Sequence, residues 1–479
     1  MNSPDICNKC PDSRGIPGAF PGRSWYEMPQ ALLINPWIYD FAAFDMWAFP
    51  LGLLSLSALL KRAGWEVSYI DCTDRHHPSI AGKVPREKIY HQGKYYSEIV
   101  EKPSVLSFVP RRYRRYGIPE EAFKNDLSRE KRPDAILVTS RMTYWYPGVK
   151  RAVEIVREAL PGIPVLLGGI YATLCSDHAG KTCKPDFLLK GEGEISLFHI
   201  LHETTGIAPP TGDSLPGSNP ALDALPIPDY GILSSKKALA LETSRGCPYN
   251  CTYCASRVLI PRFRRKSAGR VADEIEYAVE TFGTGDFAFY DDALLYESPE
   301  HFEKIAGEVS GRKIGARFHT PNSVFASEIS PLVAENMRAM GFQTIRISLE
   351  TTNLERLKKM NRKILPGHFD EAMKNLHKAG FTEREIGVYI MAGLPGQGAQ
   401  EVRDAIDYVI DRGAIPHIAE YSPIPGTAEW RRAVESTDRD IASEPLFHNN
   451  TVYHLIGGDL GPTALEELKH YTWDRATRS

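Results

Sequence analysis

The apolar residues between positions 31 and 205 form short continuous runs that alternate with longer stretches of helical spacing. Five runs are apolar almost throughout and have the length of strands: residues 31–35, 66–70, 135–139, 163–167 and 186–189. Two stretches between them, residues 51–62 and 147–160, repeat their apolar positions with the period of an α-helix. Strands that are apolar on both faces and separated by helices are typical of a parallel sheet covered on both sides. The pattern predicts an α/β domain over residues 31–204, after an N-terminal extension of residues 1–30.

Glycines follow two of these predicted strands. Gly168 and Gly169 end one strand, and Gly191 and Gly193 flank Glu192 at the end of the next. Ligands of doubly wound parallel sheets bind beyond the carboxyl ends of the strands. We therefore expect a ligand crevice at these glycines.

Two segments interrupt the pattern. Residues 73–132 form a charged insert that contains the basic and aromatic run at 111–116, Arg-Arg-Tyr-Arg-Arg-Tyr. Such a run could bind RNA or phosphate. The favoured interpretation is a solvent-exposed loop or helix face whose positive charge is balanced by the nearby Glu120, Glu121 and Glu130. Residues 205–237 are rich in Pro and Gly and have the composition of a linker.

A second alternation of strands and helices begins after the linker. Six candidate strands lie at residues 238–242, 287–290, 316–319, 344–349, 386–391 and 415–421. Helical stretches separate them, for example at residues 268–281, 331–340, 366–379 and 399–412. Six strand–helix units predict a partial (β/α)6 TIM-type barrel over residues 238–445, with chemistry at the carboxyl ends of its strands. Residues 446–479 are predicted to form a C-terminal tail with one helix, at 462–471.

Composition narrows the class of protein. The chain has 479 residues, 42% hydrophobic and 24% charged, and its 57 basic and 60 acidic residues leave a net charge of −3. That balance gives no reason to expect nucleic acid or an anionic membrane as partner. No apolar run reaches the ~20 residues that span a bilayer, and the start lacks the pattern of a secretory signal. We expect a multi-domain cytoplasmic protein, in which eight cysteines serve metal binding or catalysis before disulfides.

Three of those cysteines form a cluster directly after the first strand of the second half. Cys247, Cys251 and Cys254 lie on one loop, spaced by three and two residues. Thiolates suit zinc and iron–sulfur clusters. Structural zinc commonly takes two pairs of closely spaced ligands, and no second pair follows nearby. Three thiolates on a 4Fe–4S cluster leave one iron without a protein ligand, which favours a catalytic centre over a sealed structural one.

The loop resembles the C-x3-C-x-aromatic-C motif of the radical SAM superfamily. The resemblance implies that the three cysteines hold a 4Fe–4S cluster whose free iron is chelated by S-adenosylmethionine (SAM). It also implies that one electron from the cluster cleaves SAM to a 5′-deoxyadenosyl radical. Tyr253 takes the place of the aromatic residue that packs near the adenine.

Other strand ends resemble the SAM pocket of that family. Asp291 and Asp292 stand where the SAM amino group is bound, although paired acids could instead cap the next helix. Ser348 and Glu350 resemble residues that contact the ribose or methionine part, and Arg346 could pair with the SAM carboxylate or form a structural salt bridge with Glu350. Gly393 belongs to a turn that resembles the one approaching the adenine, and it could equally be an ordinary tight turn. His319 faces the same cavity, where a satisfied core histidine is the favoured interpretation over a substrate contact.

A flavodoxin-like, Rossmann-type sheet before such a barrel resembles the subfamily of radical SAM enzymes that carry a cobalamin-binding domain. The resemblance places cobalamin at Gly168, Gly169, Tyr171, Gly191 and Glu192. The D-x-H-x-x-G motif that supplies a histidine below cobalt in some relatives is missing after the first strand. We therefore expect cobalamin without a lower histidine ligand, or a domain that has kept its fold and lost the corrin.

The remaining cysteines are Cys7, Cys10, Cys72, Cys175 and Cys183. They could build a second metal site, but separate thiols are the favoured interpretation. The methylthiotransferase branch is disfavoured, because its cysteine pattern differs and no RNA-binding β-barrel follows residue 446.

These observations predict a radical SAM enzyme that functionalises an unactivated C–H bond, by cobalamin-dependent methyl transfer to carbon or phosphorus. The alternatives are a radical cyclisation, rearrangement or oxidation on the same scaffold, and a non-catalytic cobalamin or redox sensor. A reductant such as flavodoxin or ferredoxin is implied. The substrate, a small molecule or a peptide, cannot be chosen from the fold.

Overall fold

The computed structural model describes residues 28–208, 220–362, 365–457 and 460–478, with side chains to residue 475. The first domain has the predicted α/β architecture. Its strands are β1 (Gln30–Asn35), β2 (Ile38–Asp40), β3 (Glu66–Asp71), β4 (Ser97–Ile99), β5 (Arg114–Tyr116), β6 (Ala135–Val138), β7 (Val165–Gly168) and β8 (Phe187–Leu189). Its helices are α1 (Leu51–Arg62), α2 (Glu120–Arg129), α3 (Tyr146–Ala159), α4 (Ile170–Leu174), α5 (Ser176–Cys183) and α6 (Gly193–Thr205).

Five of these strands make one parallel sheet in the order β3-β1-β6-β7-β8. This is the flavodoxin-like order, in which the chain changes direction along the sheet at β1 and β6. Alternate residues of β1 point to two separate apolar cores, with Leu32 and Ile34 on one side and Ala31 and Leu33 on the other. Burial on both faces explains why the strand is apolar throughout.

The charged insert is a folded layer. The strand β5, part of the run at 111–116, pairs antiparallel with both β2 and β4. Tyr113, Arg115 and Tyr116 are buried, and Arg115 forms ion pairs with Glu98 and Glu120. Half of the run is thus buried; Arg111 and Arg112 remain exposed, and Glu120 balances Arg115, so the predicted solvated face applies only to part of the run.

The second domain is the predicted partial barrel. Its strands are β9 (Ala238–Leu241), β10 (Ser244–Arg245), β11 (Arg264–Arg265), β12 (Asp286–Phe289), β13 (Arg317–His319), β14 (Val324–Phe325), β15 (Phe342–Glu350), β16 (Ile386–Ala392) and β17 (Ile415–Glu420). Six of them form the parallel order β17-β16-β15-β13-β12-β9, and β14 pairs with β15 beside this path. The barrel helices are α7 (Ser256–Leu259), α8 (Ala268–Phe282), α9 (Phe302–Gly311), α10 (Pro331–Met340), α11 (Leu354–Lys359), α12 (Pro366–Lys378) and α13 (Ala399–Ile410).

The C-terminal segment is longer and more helical than the sequence predicts. It contains α14 (Trp430–Glu435), α15 (Asn450–Ile456) and α16 (Pro462–Arg478). His448 of this segment is hydrogen-bonded to Thr143 of the first domain at 2.9 Å, so the end of the chain ties the two domains together. None of the described helices is both long and apolar enough to cross a membrane.

The first domain also reaches into the barrel. The ring of Trp47 stacks on His319 of β13 with centroids 4.4 Å apart, and Tyr90 packs against the same imidazole at 4.7 Å. His319 is fully buried and hydrogen-bonded to Asp286 at 3.0 Å and Thr344 at 2.9 Å. It is therefore placed as a satisfied core residue.

Candidate functional site

The three cysteines of the cluster motif lie on a loop held by a short β-ladder. β10 pairs antiparallel with β11, so the chain leaves the barrel mouth after β9 and returns beside itself. Gly246, directly before Cys247, has a φ of +78°, and a Cβ there would lie 2.8 Å from the carbonyl oxygen of Arg262. Only glycine fits this turn without strain, and the turn sets the position of the first thiol.

The thiols of Cys247, Cys251 and Cys254 are neighbours. Burial, with smaller contributions from Asp292 and the other two thiols, raises the pKa of Cys247 to about 12; burial also raises the pKa of Cys254. The Ser256 hydroxyl lies 3.1 Å from Cys254 Sγ, and its backbone N–H donates to the same sulfur at 3.5 Å. Three thiolates this close need a positive centre to hold them, as metal coordination does.

The arrangement of the sulfurs bears on which centre fits. In the described ranges, no three His, Cys, Asp or Glu side chains close around the position of a single metal ion. A cubane cluster does not require such closure, because each thiolate binds a different iron. The donor set of three thiolates on one loop therefore fits an iron–sulfur cluster better than zinc.

Arg362 is a site residue that the sequence analysis missed. It is buried, and its Nη1 donates to Cys251 Sγ at 3.6 Å while Nη2 donates to Ser348 Oγ at 2.9 Å and to the Ser348 carbonyl at 3.2 Å. The guanidinium also lies 3.7 Å from Glu350 and over the Phe325 ring, and its Nε has no hydrogen-bond partner within the described residues. Arg362 follows α11, away from every strand end, so the strand-end rule could not find it.

Glu350 and Tyr253 meet beside this arginine. The Tyr253 hydroxyl donates to Glu350 Oε1 at 2.9 Å. Glu350 is buried with a φ of +69°, and the pairing register of β15 with β16 shifts just before it. Burial raises the pKa of Glu350, and Arg362 and Tyr253 oppose that rise. A left-handed, buried glutamate at a strand end is a strained arrangement of the kind that accumulates at functional sites.

The two aspartates after β12 differ in whether their carboxylates could contact a ligand at the thiols. Asp291 is buried and accepts hydrogen bonds from the Thr243 hydroxyl and the Ser244 hydroxyl, each at 2.6 Å, and burial raises its pKa to about 6. It braces the loop that carries the cysteines. Asp292 lies nearer the thiols, because its carbonyl oxygen is 3.9 Å from Cys247 Sγ and Ser256 hydrogen-bonds its carboxylate.

The other predicted SAM residues lie at two depths: Ser348 and Gly393 are at the strand ends, and Arg346 is deeper in the barrel. Ser348 lies at the level of Glu350 and is held by Arg362. Gly393, after β16, has a φ of +90°, and a Cβ there would lie 1.9 Å from the imidazole of His454, which covers it. Arg346 lies deeper in the barrel and forms no salt bridge with Glu350, whose cationic neighbour is Arg362.

His454 is a second residue that the sequence gave no reason to select. It is 3% exposed, and neither ring nitrogen has a hydrogen-bond partner in the part of the chain that the structure describes. Burial lowers its pKa to about 4, so the ring is neutral at pH 7. An unsatisfied buried imidazole beside Gly393 is available to a bound ligand.

The strand ends of the first domain carry three of the five predicted corrin contacts. Gly168 and Gly169 close the end of β7, and a Cβ on Gly169 would lie 2.1 Å from the Ser140 carbonyl oxygen. Gly191 follows β8 and comes close to the carbonyl of Leu259 in the cluster loop. Of the three, Gly191 is the one that lies against the second domain, whereas Gly168 and Gly169 pack against residues of their own domain.

Tyr171 and Glu192 do not face the crevice as expected. Tyr171 is fully buried in the core of the first domain, with its hydroxyl 2.7 Å from His178 Nδ1, because the turn of α4 points it inward. Glu192 forms ion pairs with Arg264 and, at 3.1 Å, with Arg245, both beside the cysteine loop. Its carboxylate is thus used as a domain contact.

An apolar surface lies between the strand ends and the cysteine loop. Met142 follows β6, Ile170 begins α4, and Val258 lies in α7, which contacts α4; their exposed fractions are 40%, 37% and 42%. Arg141, next to Met142, donates from Nη1 to the Ala48 carbonyl at 2.8 Å, while its buried Nη2 has no partner among the described residues. An exposed apolar patch with an orphaned donor at its edge has the properties of a ligand surface.

The remaining histidines and thiols give no second centre in the described ranges. His76 and His77, nearest to the missing cobalt-ligand motif, pair with Glu87 and Asp126. Cys175 and Cys183 are free thiols whose pKa values burial raises to about 12. Cys7 and Cys10 lie outside the described residues. A cavity of about 350 Å³ near Asp71, His76 and His91 lies away from the cysteine loop and contains none of the predicted site residues.

Comparison with known proteins places these features in a family. Residues 241–409 match the model of the radical SAM superfamily. An uncharacterized methyltransferase of Pyrococcus horikoshii is 24% identical over 350 residues, which cover 66% of this chain and 74% of that protein. Cytidylyl-2-hydroxyethylphosphonate methyltransferase of Streptomyces wedmorensis is 21% identical, over 86% of this chain and 85% of the relative.

A solved structure is similar over nearly the whole chain. The radical S-adenosylmethionine methyltransferase TsrM from Kitasatospora setae, with cobalamin and a 4Fe–4S cluster bound, has a TM-score of 0.62. The match has 15% identity and covers 89% of this chain and 82% of TsrM. Similarity at this identity establishes a shared fold over most of both chains.

Proposed function

The chain belongs to the radical SAM superfamily, and on that premise we propose that it is a cobalamin-dependent radical SAM methyltransferase. The observation that carries the proposal is the group of three thiols at the barrel mouth, with Arg362 between Cys251 and the Ser348–Glu350 strand end. When bound, a 4Fe–4S cluster supplies the electron that cleaves the sulfonium of SAM, and cobalamin supplies a methyl group for transfer.

Different residues at the barrel mouth bind the iron–sulfur cluster and the separate parts of SAM. Cys247, Cys251 and Cys254 hold the cluster. Arg362 balances thiolate charge and presents its free Nε to the SAM carboxylate, an interaction between charged hydrogen-bonding groups that is stronger than a neutral one. Glu350, fixed by Tyr253, accepts from the SAM amino group, and Asp292 adds negative charge beside it. Gly393 leaves room on the adenine side.

The apolar surface of Met142, Ile170 and Val258 is the proposed seat of the corrin. It joins the strand ends of the first domain to the cysteine loop, so a flat ligand there lies directly over the barrel mouth. The orphaned Nη2 of Arg141 supplies a donor, and Gly168, Gly169 and Gly191 allow close approach.

The cellular setting follows from the chemistry. We propose a cytoplasmic enzyme that receives electrons from a reductant such as flavodoxin or ferredoxin and acts on a small molecule or a peptide. The closed mouth serves to keep solvent from a reactive intermediate while the substrate carbon is held in place.

The first experiment tests SAM cleavage. Protein reconstituted anaerobically with iron and sulfide is mixed with SAM and dithionite, and 5′-deoxyadenosine is measured. We expect product from the wild type and none from Cys251→Ala. Cys175→Ala, a matched thiol removal in the first domain, should retain cleavage. Loss in both variants, or cleavage without Cys251, contradicts the assignment.

The second experiment tests cobalamin and the net reaction. We expect protein produced with added cobalamin to purify with a corrin absorption spectrum, which Ile170→Asp should remove while leaving the iron content unchanged. Formation of S-adenosylhomocysteine beside 5′-deoxyadenosine supports methyl transfer. A wild type that binds no corrin after supplementation overturns the methyltransferase proposal and favours radical chemistry without cobalamin.

A further inference from the structure

Arg346 occupies the middle of β15 and points into the barrel. Its strand neighbours Ile345 and Ile347 are fully buried in the core that packs against the surrounding helices. Because strand side chains alternate, Arg346 shares the inner face with Ser348 and Glu350 and lies below both. It is therefore inside the barrel, beneath the proposed SAM site.

The guanidinium of Arg346 has no carboxylate partner in the described part of the chain. Its contacts are the Tyr389 phenol and, at 3.5 Å, the carbonyl of Ile345. Tyr389 donates its own proton to the Pro321 carbonyl at 2.9 Å, so its oxygen accepts from the arginine. Other arginines of this domain, such as Arg245 and Arg317, form ion pairs with acidic residues.

His417 of β17 lies on the opposite side of the same space. Its ring forms no hydrogen bond to any described residue, and burial together with Arg346 lowers its pKa to about 4. A neutral imidazole can still donate one N–H. Arg346 and His417 thus present two sets of donors without an acceptor between them.

Gly387 makes this arrangement feasible. It pairs with Arg346 across the sheet, and a Cβ on it would lie 2.6 Å from Arg346 Nη1 and 2.7 Å from His417 Nε2. A glycine inside a strand weakens the strand and commonly marks a place where another group approaches closely. Here it leaves space for two donor side chains that repel each other when both are charged.

We propose that Arg346 and His417 form a binding site for an anionic group, a phosphate, phosphonate or carboxylate, carried by the substrate. Arg346 is half-buried, and a partly buried cation without an acidic partner destabilises a fold unless a ligand anion completes it. A guanidinium offers two parallel N–H donors that match such oxyanions. The proposal deepens the proposed function, on which it rests, by giving the substrate a charged end held below the cofactors.

The test measures thermal unfolding of the reconstituted protein, without SAM, as inorganic phosphate is added at constant ionic strength. We expect a saturable rise of the unfolding temperature, roughly 5 °C near saturation. Arg346→Gln should abolish this rise and should itself unfold at a higher temperature than the wild type in the absence of phosphate. Arg431→Gln, which changes an exposed arginine, should respond to phosphate like the wild type.

A second variant distinguishes loss of the anion site from misfolding of Arg346→Gln. Gly387→Ala keeps Arg346 but fills the space between it and His417, and it should also lose the phosphate response. Equal responses in the wild type and both variants, or no response in the wild type, overturn the proposal. So does a SAM-induced stabilisation that is lost in Arg346→Gln, because the arginine would then serve the cofactor. The assay needs no turnover, so its failure is distinguishable from failure of the SAM cleavage experiment.

Discussion

At the scale of single residues, the strongest feature of the site is a buried charge network centred on Arg362. One guanidinium contacts a thiol, a serine and a glutamate that come from two distant parts of the chain. The backbone of Glu350 is in the left-handed region. The contacts of its carboxylate with Tyr253 and Arg362 stabilise this conformation. Strain at this point is offset by one hydrogen bond to a charged group, from Tyr253, which contributes about 1.5–3 kcal/mol, and by the ion pair with Arg362.

The substitution Arg362→Lys tests this network. Lysine keeps the charge but cannot donate to Cys251 and Ser348 at once, because its ammonium is a single compact donor group. Loss of one charged hydrogen bond predicts a roughly 10- to 100-fold fall in SAM cleavage, measured as 5′-deoxyadenosine formed at subsaturating SAM.

Arg356→Lys is the matched control for Arg362→Lys. Arg356 lies in α11 and pairs with Glu401 at 2.7 Å, away from the thiols. We expect cleavage within about threefold of the wild type there, since lysine retains the ion pair. An equal loss in both variants would mean that the segment around α11, and not the Arg362 contacts, determines activity.

Sequence spacing identified some of these residues and not others, for a physical reason. Cys247, Cys251 and Cys254 lie on one short loop, so their spacing alone brings them together. Arg362 reaches the thiols only through the folding of α11 back over β15. Tyr171 was assigned to the crevice from its place after Gly169, but the direction of a side chain on a short helix depends on packing, which sequence position does not reveal.

At the scale of elements, the cysteine loop is fixed from outside by the first domain. Glu192 stands before α6 and forms ion pairs with Arg264 of β11 and Arg245 of β10, and Glu194 adds a second pair to Arg245 at 2.8 Å. The start of α6 therefore clamps both strands of the ladder that carries the thiols. The position of the proposed cluster depends on this contact between domains.

The substitution Glu192→Gln should loosen the clamp without unfolding either domain. The amide keeps the shape but leaves Arg264 without its carboxylate, and breaking a buried ion pair is destabilising. We expect iron to be lost from the reconstituted protein several-fold faster, followed by absorbance in the presence of a chelator. Glu203→Gln, on the far end of α6 where Glu203 pairs only with the exposed His199, should lose iron at the rate of the wild type.

Elements with a strong hydrophobic period were predictable, and elements made by long-range pairing were not. Central parallel strands such as β6 and β16 are apolar runs because they are buried on both faces. β2, β4 and β5 are three residues long each and pair antiparallel across the insert, so their burial depends on partners far away in sequence. The run at 111–116 resembles a charged surface in sequence because the strands that bury part of it are far away along the chain.

At the scale of the whole molecule, the first domain and the C-terminal segment both pack against the barrel. Trp47 of the first domain fills space against His319, and α16 covers β17, the edge strand of the barrel. Covering an edge protects it from pairing with another chain. The tie between Thr143 and His448 joins the first domain to the C-terminal segment, so separating them requires breaking a contact between a buried imidazole and a hydroxyl.

That tie makes the assembly sensitive to acid. Burial lowers the pKa of His448 to about 4 from the ordinary value of 6.5. The unfolded chain binds a proton to this ring as pH falls below 6.5, while the folded protein does not until about pH 4. The neutral ring therefore contributes stability above pH 6.5 that is lost progressively as pH falls through this window. The buried His301 and His454 are shifted in the same direction, also to about 4.

The substitution His448→Gln isolates the contribution of one ring. The amide can accept from Thr143 and donate to the Ile441 carbonyl, as the imidazole does, but it does not titrate. Between pH 6 and pH 5 the wild type should lose about 1 kcal/mol of unfolding free energy more than the variant, since one proton is worth about 1.4 kcal/mol per pH unit. Urea unfolding at each pH measures the difference. His199→Gln, at an exposed histidine, should follow the wild type; parallel curves for His448→Gln and the wild type would show that the ring of His448 binds its proton equally well in the folded and unfolded states, so that burial does not lower its pKa.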